Sequence, residues 1–264
     1  MYDTIVKGGR WFDGTGSPSA IRHLGIREGR IAVVSAEPLD ESDCPHVIDA
    51  AGKWVIPGMI DIHTHYDVEV LQSPALAESI RHGITTVPLG SCSLSTVHGK
   101  VRWRTTISNH RPRILDKFAA DPGVQLGFSD AGAHLRNMAF YNFGLRFLRR
   151  VYDAERAGCP FLSLERAVHR ITGELADWYG IDAGHLRPGD RADLVVIDPA
   201  HLDETVDAYA EAPVSVFDNL SRMVNRNDAT VVAVLVGGQY VFGAGVAAPV
   251  LGTRRTGRFL RADT

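Results

Sequence analysis

Two histidines at the end of an apolar run are the residues of this sequence that most directly indicate chemistry. His63 and His65 are separated by one residue and follow the apolar stretch 55–60. On a β-strand, residues i and i+2 point to the same side, so both imidazoles can be aimed at one point. Pro57 and Gly58 suit the beginning of such a strand, because proline cannot donate to a ladder and glycine allows a bend. Two imidazoles are half of a common zinc site, and the pattern predicts a metal-binding strand end.

Two further apolar runs also end in potential metal ligands. Cys92 closes the β-branched run 84–92, and Asp130 closes the run 124–130. In α/β barrels the working residues lie at the carboxyl ends of the strands. A carboxylate at the end of an apolar strand is costly to bury without a partner, so Asp130 is predicted to belong to a site. A lone cysteine there is more often a buried small residue, so spacing alone leaves Cys92 open. Together, a thiolate, two imidazoles and a carboxylate suit zinc.

Three segments carry a resemblance to a known family. The segment 55–67 resembles the first barrel strand of the amidohydrolase superfamily, and its ending is similar to the D-aminoacylase (N-acyl-D-amino-acid deacylase) branch. Gly90-Ser91-Cys92-Ser93 resembles the Gly-x-Cys-x turn that this branch has after its second strand. The segment 129–134 resembles the branch's Ser-Asp-x-Gly-x-His turn at the last strand. The resemblance implies one zinc ion, or two in the full family site, held by His63, His65, Cys92 and Asp130.

The chemistry that this resemblance implies is metal-assisted hydrolysis of a C–N amide bond. A zinc ion lowers the pKa of bound water towards about 7 and polarises an amide carbonyl. Asp130 would take the proton of that water and pass it to the leaving amine. The resemblance narrows the partner to a small N-acylated amino acid, namely an N-acyl-D-amino acid or a similar compound. His134 and Arg136 are candidates for contact with this substrate, Arg136 through a guanidinium fork that fits a carboxylate. The alternative stays open that His134 is a loop histidine and Arg136 a surface arginine, both facing solvent.

The elements that would position these residues fall into three parts of the chain. The stretches 1–54 and 186–264 are rich in short strands and turns, and they flank an α/β middle at 55–185. Within the middle, a strand, a helix and a second strand follow one another, which is typical of a parallel sheet. We expect an α/β fold in which 55–185 forms a (β/α) barrel of the amidohydrolase type. The two ends are expected to form a small composite β-sandwich beside it.

Turn and cap residues give the more local predictions. Glu28-Gly29 and Gly237-Gly238 are predicted to be the turns of two hairpins. Ser163 is a plausible N-cap, and Gly180 is suited to the position just after a helix. Helices are predicted over 73–82, 114–120, 143–155 and 163–179.

The barrel predicted for the middle of the chain is incomplete. Only the 62 residues 67–128 separate Tyr66 from Ser129. A whole (β/α)8 barrel takes roughly 250 residues, and one βαβ unit takes about 30. If the histidines end the first strand and Asp130 ends the last, six strands should lie in an interval that holds about two units. The join lies near 97–100, and we expect the chain to be poorly active or inactive by itself.

Composition argues against several other classes of function. The chain has 28 Lys and Arg against 31 Asp and Glu, a net charge of −3, which indicates no nucleic-acid or anionic-membrane partner. No apolar run reaches the roughly 20 residues of a transmembrane helix, and no signal peptide is evident. Three cysteines without paired spacing fit a reducing compartment, so we expect a cytoplasmic protein. The sequence does not indicate an oligomeric state.

Two alternatives to a deacylase stay open at this stage. The first is a cyclic-amide hydrolase of the dihydroorotase or hydantoinase kind. That branch usually relies on a modified lysine, so Cys92 argues against it. The second is a non-catalytic remnant of an amidohydrolase that serves as a structural or binding module, and the short middle supports it. Whether the source gene has a longer reading frame separates this second alternative from an enzyme.

Overall fold

The structure, a computed structural model, describes residues 1–66, 69–89, 112–132, 140–213 and 221–262. Within these ranges the chain is a mixed α/β protein built around one large sheet. None of the helices in these ranges is long and apolar enough to cross a membrane. The predicted join near 97–100 lies outside the described residues.

The strands are short and lie mostly towards the two ends of the chain. In order they are β1 (Thr4–Trp11), β2 (Ala20–Arg27), β3 (Arg30–Ser35), β4 (His46–Asp49), β5 (Trp54–Pro57), β6 (Met59–Ile60), β7 (Ile84–Thr86), β8 (Leu194–Ile197), β9 (Tyr209–Pro213), β10 (Ser221–Asn225), β11 (Val231–Val236), β12 (Gln239–Gly243) and β13 (Val246–Ala247).

The helices fall between β6 and β8. They are α1 (Glu69–Gln72), α2 (Ala77–Arg81), α3 (Pro112–Ala120), α4 (Phe143–Arg156), α5 (Leu164–Arg170) and α6 (Gly173–Tyr179). Two 3-10 turns follow β8, at Pro199–His201 and Glu204–Asp207.

The large sheet joins the two ends of the chain. Its order is β13-β12-β11-β8-β5-β1-β2-β3, and β4 pairs with β1. The junction is the antiparallel pair β5–β8, in which Trp54 faces Ile197 and Pro57 faces Leu194. Strands from both β-rich ends therefore share one sheet. Their arrangement as a sandwich stays a prediction.

The centre of this sheet is buried on both faces. Every residue of β5 and β8 is buried, which explains why both read as continuous apolar runs rather than alternating ones. Trp54 and Ile56 face a cluster that includes apolar residues of α4 and α5. Val55 and Val196 face a second cluster drawn from the two chain ends. Each buried aliphatic side chain contributes about 1.5–3 kcal/mol relative to an exposed one.

Both predicted hairpin turns are confirmed. Glu28 and Gly29 connect β2 to β3 with φ of 53° and 76°, and Gly237 and Gly238 connect β11 to β12 with φ of 55° and 74°. Two-residue turns with positive φ match the twist of the flanking strands, which is why glycine is favoured there. Glu28 adopts this conformation without being glycine, and its N–H donates to the Asp3 carboxylate at 2.6 Å.

The single helix predicted over 163–179 is wrong, because the chain forms two helices there. The Ser163 hydroxyl caps α5 by accepting from Arg166 N at 3.1 Å, and Gly180 ends α6 with φ of 61°, both as predicted. The break falls at Thr172, whose φ of −135° and ψ of −95° are not helical. Gly173 approaches Gly14 so closely that a Cβ on it would lie 2.0 Å from the Gly14 carbonyl oxygen. This long-range contact sets the break, and local periodicity does not reveal it.

The strand predicted over 124–130 is also not regular. Gly127 has φ of +127° and Asp130 has φ of +55°, and both values interrupt an extended ladder. The segment still pairs with the chain that follows β6, through a parallel bridge between Thr64 and Ala131. It therefore lies beside the chain that follows β6 without forming a continuous strand.

Candidate metal centre

The chain that contains the two histidines lies between two parallel neighbours. On one side β6 pairs with β7, and Asp61 N donates to Thr86 O at 3.0 Å. On the other side Ile62 N donates to Gly127 O at 3.1 Å and His65 N donates to Ala131 O at 2.7 Å. Because the three segments run in the same direction, their carboxyl ends meet at one edge.

Three of the predicted ligands converge at this edge. His63 Nε2 lies 3.3 Å from Asp130 Oδ1, and His65 Nε2 lies 3.4 Å from the same oxygen. The two imidazole rings are 5.2 Å apart, at 76° to each other. One ligand atom from each of the three residues lies within 4.8 Å of the other two. The Thr64 hydroxyl lies on the other side and donates to Pro88 O at 2.7 Å.

These separations fit the donor set of a small metal ion. Nitrogen and oxygen ligands about 2.0–2.1 Å from a tetrahedral zinc ion lie roughly 3.3–3.4 Å from one another. Both histidine-to-aspartate separations fall in that range. Two imidazoles and a carboxylate are also ligand types that zinc accepts. The two histidine-to-aspartate separations and the ligand types therefore fit a zinc ion.

The centre is buried on one side and accessible on the other. The His65 side chain is 7% exposed, whereas those of His63 and Asp130 are 34% and 28% exposed. Phe128 stands beside His63, with 5.8 Å between the ring centroids, and is itself exposed. His63 and Asp130 therefore form the more exposed side of the centre.

The turn that presents Asp130 depends on an uncommon backbone conformation. Asp130 has φ of +55°, a left-handed value that aspartate tolerates better than most residues because its short polar side chain can hydrogen-bond locally. Gly132 follows with φ of +92°, and a Cβ there would lie 2.6 Å from the His65 carbonyl oxygen. Only glycine allows the turn to fold back against the histidine strand in this way.

Sequence reasoning missed Asp61, which lies beneath the three ligands. It is fully buried. Its Oδ1 accepts from His63 N at 3.1 Å and from Ser129 N at 3.2 Å, and its Oδ2 accepts from the Ser129 hydroxyl. Burial raises the pKa of Asp61 to about 6, although the hydrogen bonds from Ser129 and His63 act to lower it. A usable signal was present, since an aspartate between two isoleucines in an apolar run is costly to bury without partners.

A second polar cluster, which sequence reasoning also missed, lies near Tyr66, the residue after His65. Arg222 of β10 donates to Glu69 of α1 at 2.9 Å and to the Tyr141 hydroxyl at 2.8 Å. Burial raises the pKa of Tyr141 to about 12, even though Arg222 acts to lower it. The cluster ties the β9–β10 hairpin to the helix that follows the histidine strand. Nothing in the local sequence marks it, because its members are separated by up to 153 residues.

The structure brings together His63, His65 and Asp130. The other three predicted site residues, Cys92, His134 and Arg136, lie outside the described residues. The ligand set can therefore be described for three of its four members.

A surface depression of about 720 Å³ lies elsewhere on the molecule. Its lining is mostly charged, and several of the charges are paired, with His185 2.9 Å from Asp177 and Arg258 bound to Asp182. It touches none of the three ligands, and we assign it no role.

Comparisons of sequence show relatives that are longer than this chain. A comparison with family models gave no match. An uncharacterized protein of Mycobacterium tuberculosis (strain ATCC 25618 / H37Rv) is 29% identical over 563 positions, with 92% of each chain covered. Since this chain has 264 residues, at least 299 of those positions, 563 minus 264, have no counterpart in it. The N-acyl-D-glutamate deacylase of Alcaligenes xylosoxydans xylosoxydans is 38% identical over 202 residues, which cover 74% of this chain and 40% of the deacylase.

Comparisons of structure also match this chain to D-aminoacylases and deacylases. The crystal structure of a D-aminoacylase that defines a subset of amidohydrolases matches with a TM-score of 0.59 at 16% identity, covering 99% of this chain. An N-acyl-D-glutamate deacylase from Bordetella bronchiseptica, complexed with zinc and a phosphonate inhibitor, matches with a TM-score of 0.58 at 18% identity, again covering 99% of this chain. At this level of identity the likeness concerns the fold.

Proposed function

Since the chain belongs to the amidohydrolase superfamily, in its D-aminoacylase branch, we propose that its site is that of a zinc-dependent hydrolase of amide C–N bonds. The observation that carries the proposal is the approach of both histidine Nε2 atoms to one Asp130 oxygen, at 3.3 and 3.4 Å. The substrate class is small N-acylated amino acids of D configuration. Relatives of this chain include an N-acyl-D-glutamate deacylase, a D-aminoacylase and an N-acyl-D-aspartate deacylase.

We assign four residues to the zinc site. His63, His65 and Asp130 would hold the ion at the edge described above, and Cys92 would be the fourth ligand. The support for Cys92 is the resemblance of its turn to the family's Gly-x-Cys-x turn. The ion would supply a Lewis acid that lowers the pKa of water towards about 7 and polarises the amide carbonyl. One ion is proposed here, with a second only in the full family site.

Asp130 would be the catalytic residue. Its Oδ1 is directed towards the imidazoles, and we assign proton transfer to its other oxygen, Oδ2. That oxygen accepts the proton of the attacking water while the water oxygen bonds to the carbonyl carbon. The same proton then passes to the amine nitrogen as the C–N bond breaks, which gives a carboxylic acid and a free amine. The burial of His65 excludes water from one side and leaves the His63 side for the substrate.

Substrate contacts are proposed for two residues that follow Asp130 in the chain. Arg136 would bind the carboxylate of the amino acid through its guanidinium fork, and His134 would contact the acyl group or the leaving amine. Their support is their position, four and six residues after the catalytic aspartate.

The domain assignment is likewise a proposal. We assign 1–54 and 186–264 to a composite β-sandwich domain and 55–185 to a partial (β/α) barrel that carries the metal. The pairing of β5 with β8 supports the composite character of the first domain, because it joins the two ends of the chain.

A second candidate function is a metal-binding remnant without turnover. The observation that favours it is length, since at least 299 positions of the alignment with the mycobacterial relative have no counterpart here. A whole (β/α)8 barrel takes roughly 250 residues, and its middle carries part of the loop surface from which active sites are built. We therefore expect zinc binding to persist more fully than catalysis.

The first experiment is zinc stoichiometry by elemental analysis on the purified, monodisperse chain. We expect about one zinc ion per chain, and its loss or weakening in Asp130→Asn, His63→Ala and Cys92→Ala. Cys159→Ala is the matched control for the cysteine, because Cys159 is exposed and free. A well-folded chain without zinc would contradict the proposed site.

The second experiment measures hydrolysis of N-acetyl-D-amino acids beside their L enantiomers. Slow turnover that prefers the D enantiomer and disappears in Asp130→Asn would support the hydrolase. Zinc binding with no turnover would favour the remnant. Faster turnover of a cyclic amide would favour a hydantoinase-like enzyme instead.

A further inference from the structure

Two buried residues connect the histidine strand to the turn that presents Asp130. Asp61 and Ser129 are both fully buried and lie 68 residues apart in the chain. The Asp61 carboxylate accepts from the Ser129 amide at 3.2 Å and from the Ser129 hydroxyl. The same carboxylate accepts from His63 N at 3.1 Å. The Asp61 carboxylate therefore binds the backbone of His63, which is a proposed ligand, and also Ser129, which directly precedes the proposed ligand Asp130.

Ser129 extends this connection to the far side of Asp130. Its hydroxyl accepts from Ala131 N at 2.9 Å, and its carbonyl accepts from Phe140 N at 2.7 Å. The hydrogen bonds of Ser129 thus bracket Asp130, whose left-handed φ of +55° is unfavourable for a residue with a side chain. Such a conformation persists only where the surrounding contacts enforce it.

We propose that Asp61 and Ser129 form a positioning pair that holds the Asp130 carboxylate against the two imidazoles. The inference rests on the proposed function, because the pair positions Asp130 for metal binding only if the site binds a metal ion. Neither residue is placed in contact with the substrate or the ion. Both act through Asp130 and through the backbone of His63.

The pair acts locally, since other contacts hold the rest of the segment. Arg170 donates to Asp121 O at 2.9 Å and also to Val124 O, which anchors the beginning of the segment. Ile62 N donates to Gly127 O, which anchors its middle. Loss of the Ser129 hydroxyl should therefore release the turn at 129–131 and leave the segment attached. Partners that orient metal ligands in this way typically account for a 10- to 100-fold difference in metal affinity.

The test compares zinc affinity and backbone protection in Ser129→Ala with those of the unmodified chain. Zinc Kd is measured by competition with a chromophoric chelator, and amide hydrogen exchange is measured on the chains without metal. We expect a 10- to 100-fold weaker zinc Kd. We also expect faster exchange at the amides of Ser129, Ala131 and His63, with no change in β5 and β8. Asp61→Asn should do the same, but it also removes a charge, so Ser129→Ala reports the positional effect alone.

Thr230→Val is the matched control. Thr230 is also fully buried, and its hydroxyl donates to His201 O at 2.7 Å, so the variant loses a comparable hydrogen bond outside the site. Its zinc Kd should stay within about twofold of the unmodified value. Unchanged zinc affinity and unchanged exchange at 129–131 in Ser129→Ala would overturn the inference. If the unmodified chain binds no zinc, the proposed function fails, and the exchange measurement still decides whether the pair holds the turn.

Discussion

The large sheet and the metal centre are held in shape by different kinds of contact. At the sheet's centre, β5 and β8 are buried on both faces and paired along their length. Around the metal centre the chain is irregular, and side chains satisfy its backbone groups. Asp61 accepts from the amide of Ser129, 68 residues away, and Arg170 donates to the carbonyl of Val124, 46 residues away. The sheet therefore depends on many apolar contacts, whereas the site depends on a few polar ones.

The difference follows from where the backbone hydrogen bonds go. In a sheet the ladder satisfies each buried N–H and C=O group, so side chains only have to fill space. In an irregular buried segment those groups need side-chain partners, and losing one partner leaves the other unsatisfied at a cost of about 1–3 kcal/mol. Single substitutions should therefore act more sharply around the site than in the sheet.

The largest effect is expected for Arg170→Ala. The Arg170 side chain is fully buried, pairs with Glu174 and donates to the carbonyls of Asp121 and Val124. Its removal leaves the carbonyls of Asp121 and Val124 without this donor, at about 1–3 kcal/mol for each, whereas Glu174 keeps its pair with Arg166. Urea unfolding should show a loss of that size in the free energy of unfolding.

Arg166→Ala is the matched control for this prediction. Arg166 pairs with the same Glu174, but its side chain is 34% exposed. Partly exposed pairs of this kind contribute about 0–1 kcal/mol. If Arg166→Ala and Arg170→Ala lost equal free energies of unfolding, burial would not explain how much Arg170 contributes to stability.

Ile56→Ala tests the sheet side of the comparison. Ile56 is fully buried in β5, and truncation of a buried isoleucine costs about 2–5 kcal/mol through lost burial and the cavity left behind. Because Ile56 packs in the core cluster with α4 and α5, and none of the three ligands belongs to that cluster, zinc Kd in the folded variant should match that of the unmodified chain. Ile21→Ala is the control within the same sheet, since Ile21 is 57% exposed and should change stability by less than about 0.5 kcal/mol. A large loss of zinc affinity in Ile56→Ala would show that the two regions are coupled.

The free energy of unfolding is expected to depend on pH through Glu78 of α2. Burial alone would raise the pKa of Glu78, but the hydrogen bonds and charges of His82 and Arg226 outweigh it and lower this pKa from 4.5 to about 2. A lowered carboxyl pKa stabilises the fold above pH 4.5, and the contribution is lost as the pH falls towards 2. Its size at neutral pH is about 3 kcal/mol.

The measurement is urea unfolding of the unmodified chain and of Glu78→Gln at pH 7 and pH 3. The difference in free energy of unfolding should shrink by more than half at the lower pH. Asp228→Asn serves as the control, because its pair with Arg81 involves a carboxylate that is 49% exposed. A difference for Glu78→Gln that does not vary with pH would contradict the assignment.

The same contrast explains what the sequence could predict. The hairpin turn at Glu28-Gly29 and the alignment of His63 with His65 depend on neighbouring residues, and each is readable from local spacing. The convergence of Asp130 on the histidines was predicted from family resemblance and from the cost of a buried carboxylate. The Asp61–Ser129 pair and the break at Thr172 depend on contacts between distant segments, so no window of sequence shows them.

The smallest effect is expected for Ser163→Ala, which tests a feature that was readable from the sequence. The Ser163 hydroxyl accepts from Arg166 N at 3.1 Å at the beginning of α5, the helix that ends with Arg170. Loss of such a cap costs about 1 kcal/mol, whereas Ser163→Asp keeps an acceptor and should leave the free energy of unfolding nearly unchanged. Because the cap lies at the opposite end of α5 from Arg170, zinc Kd should be the same in both variants. If Ser163→Ala lost as much free energy of unfolding as Arg170→Ala, the cap would matter as much as the buried arginine. The attachment of the segment 121–130 to α5 could then not be assigned to Arg170 alone.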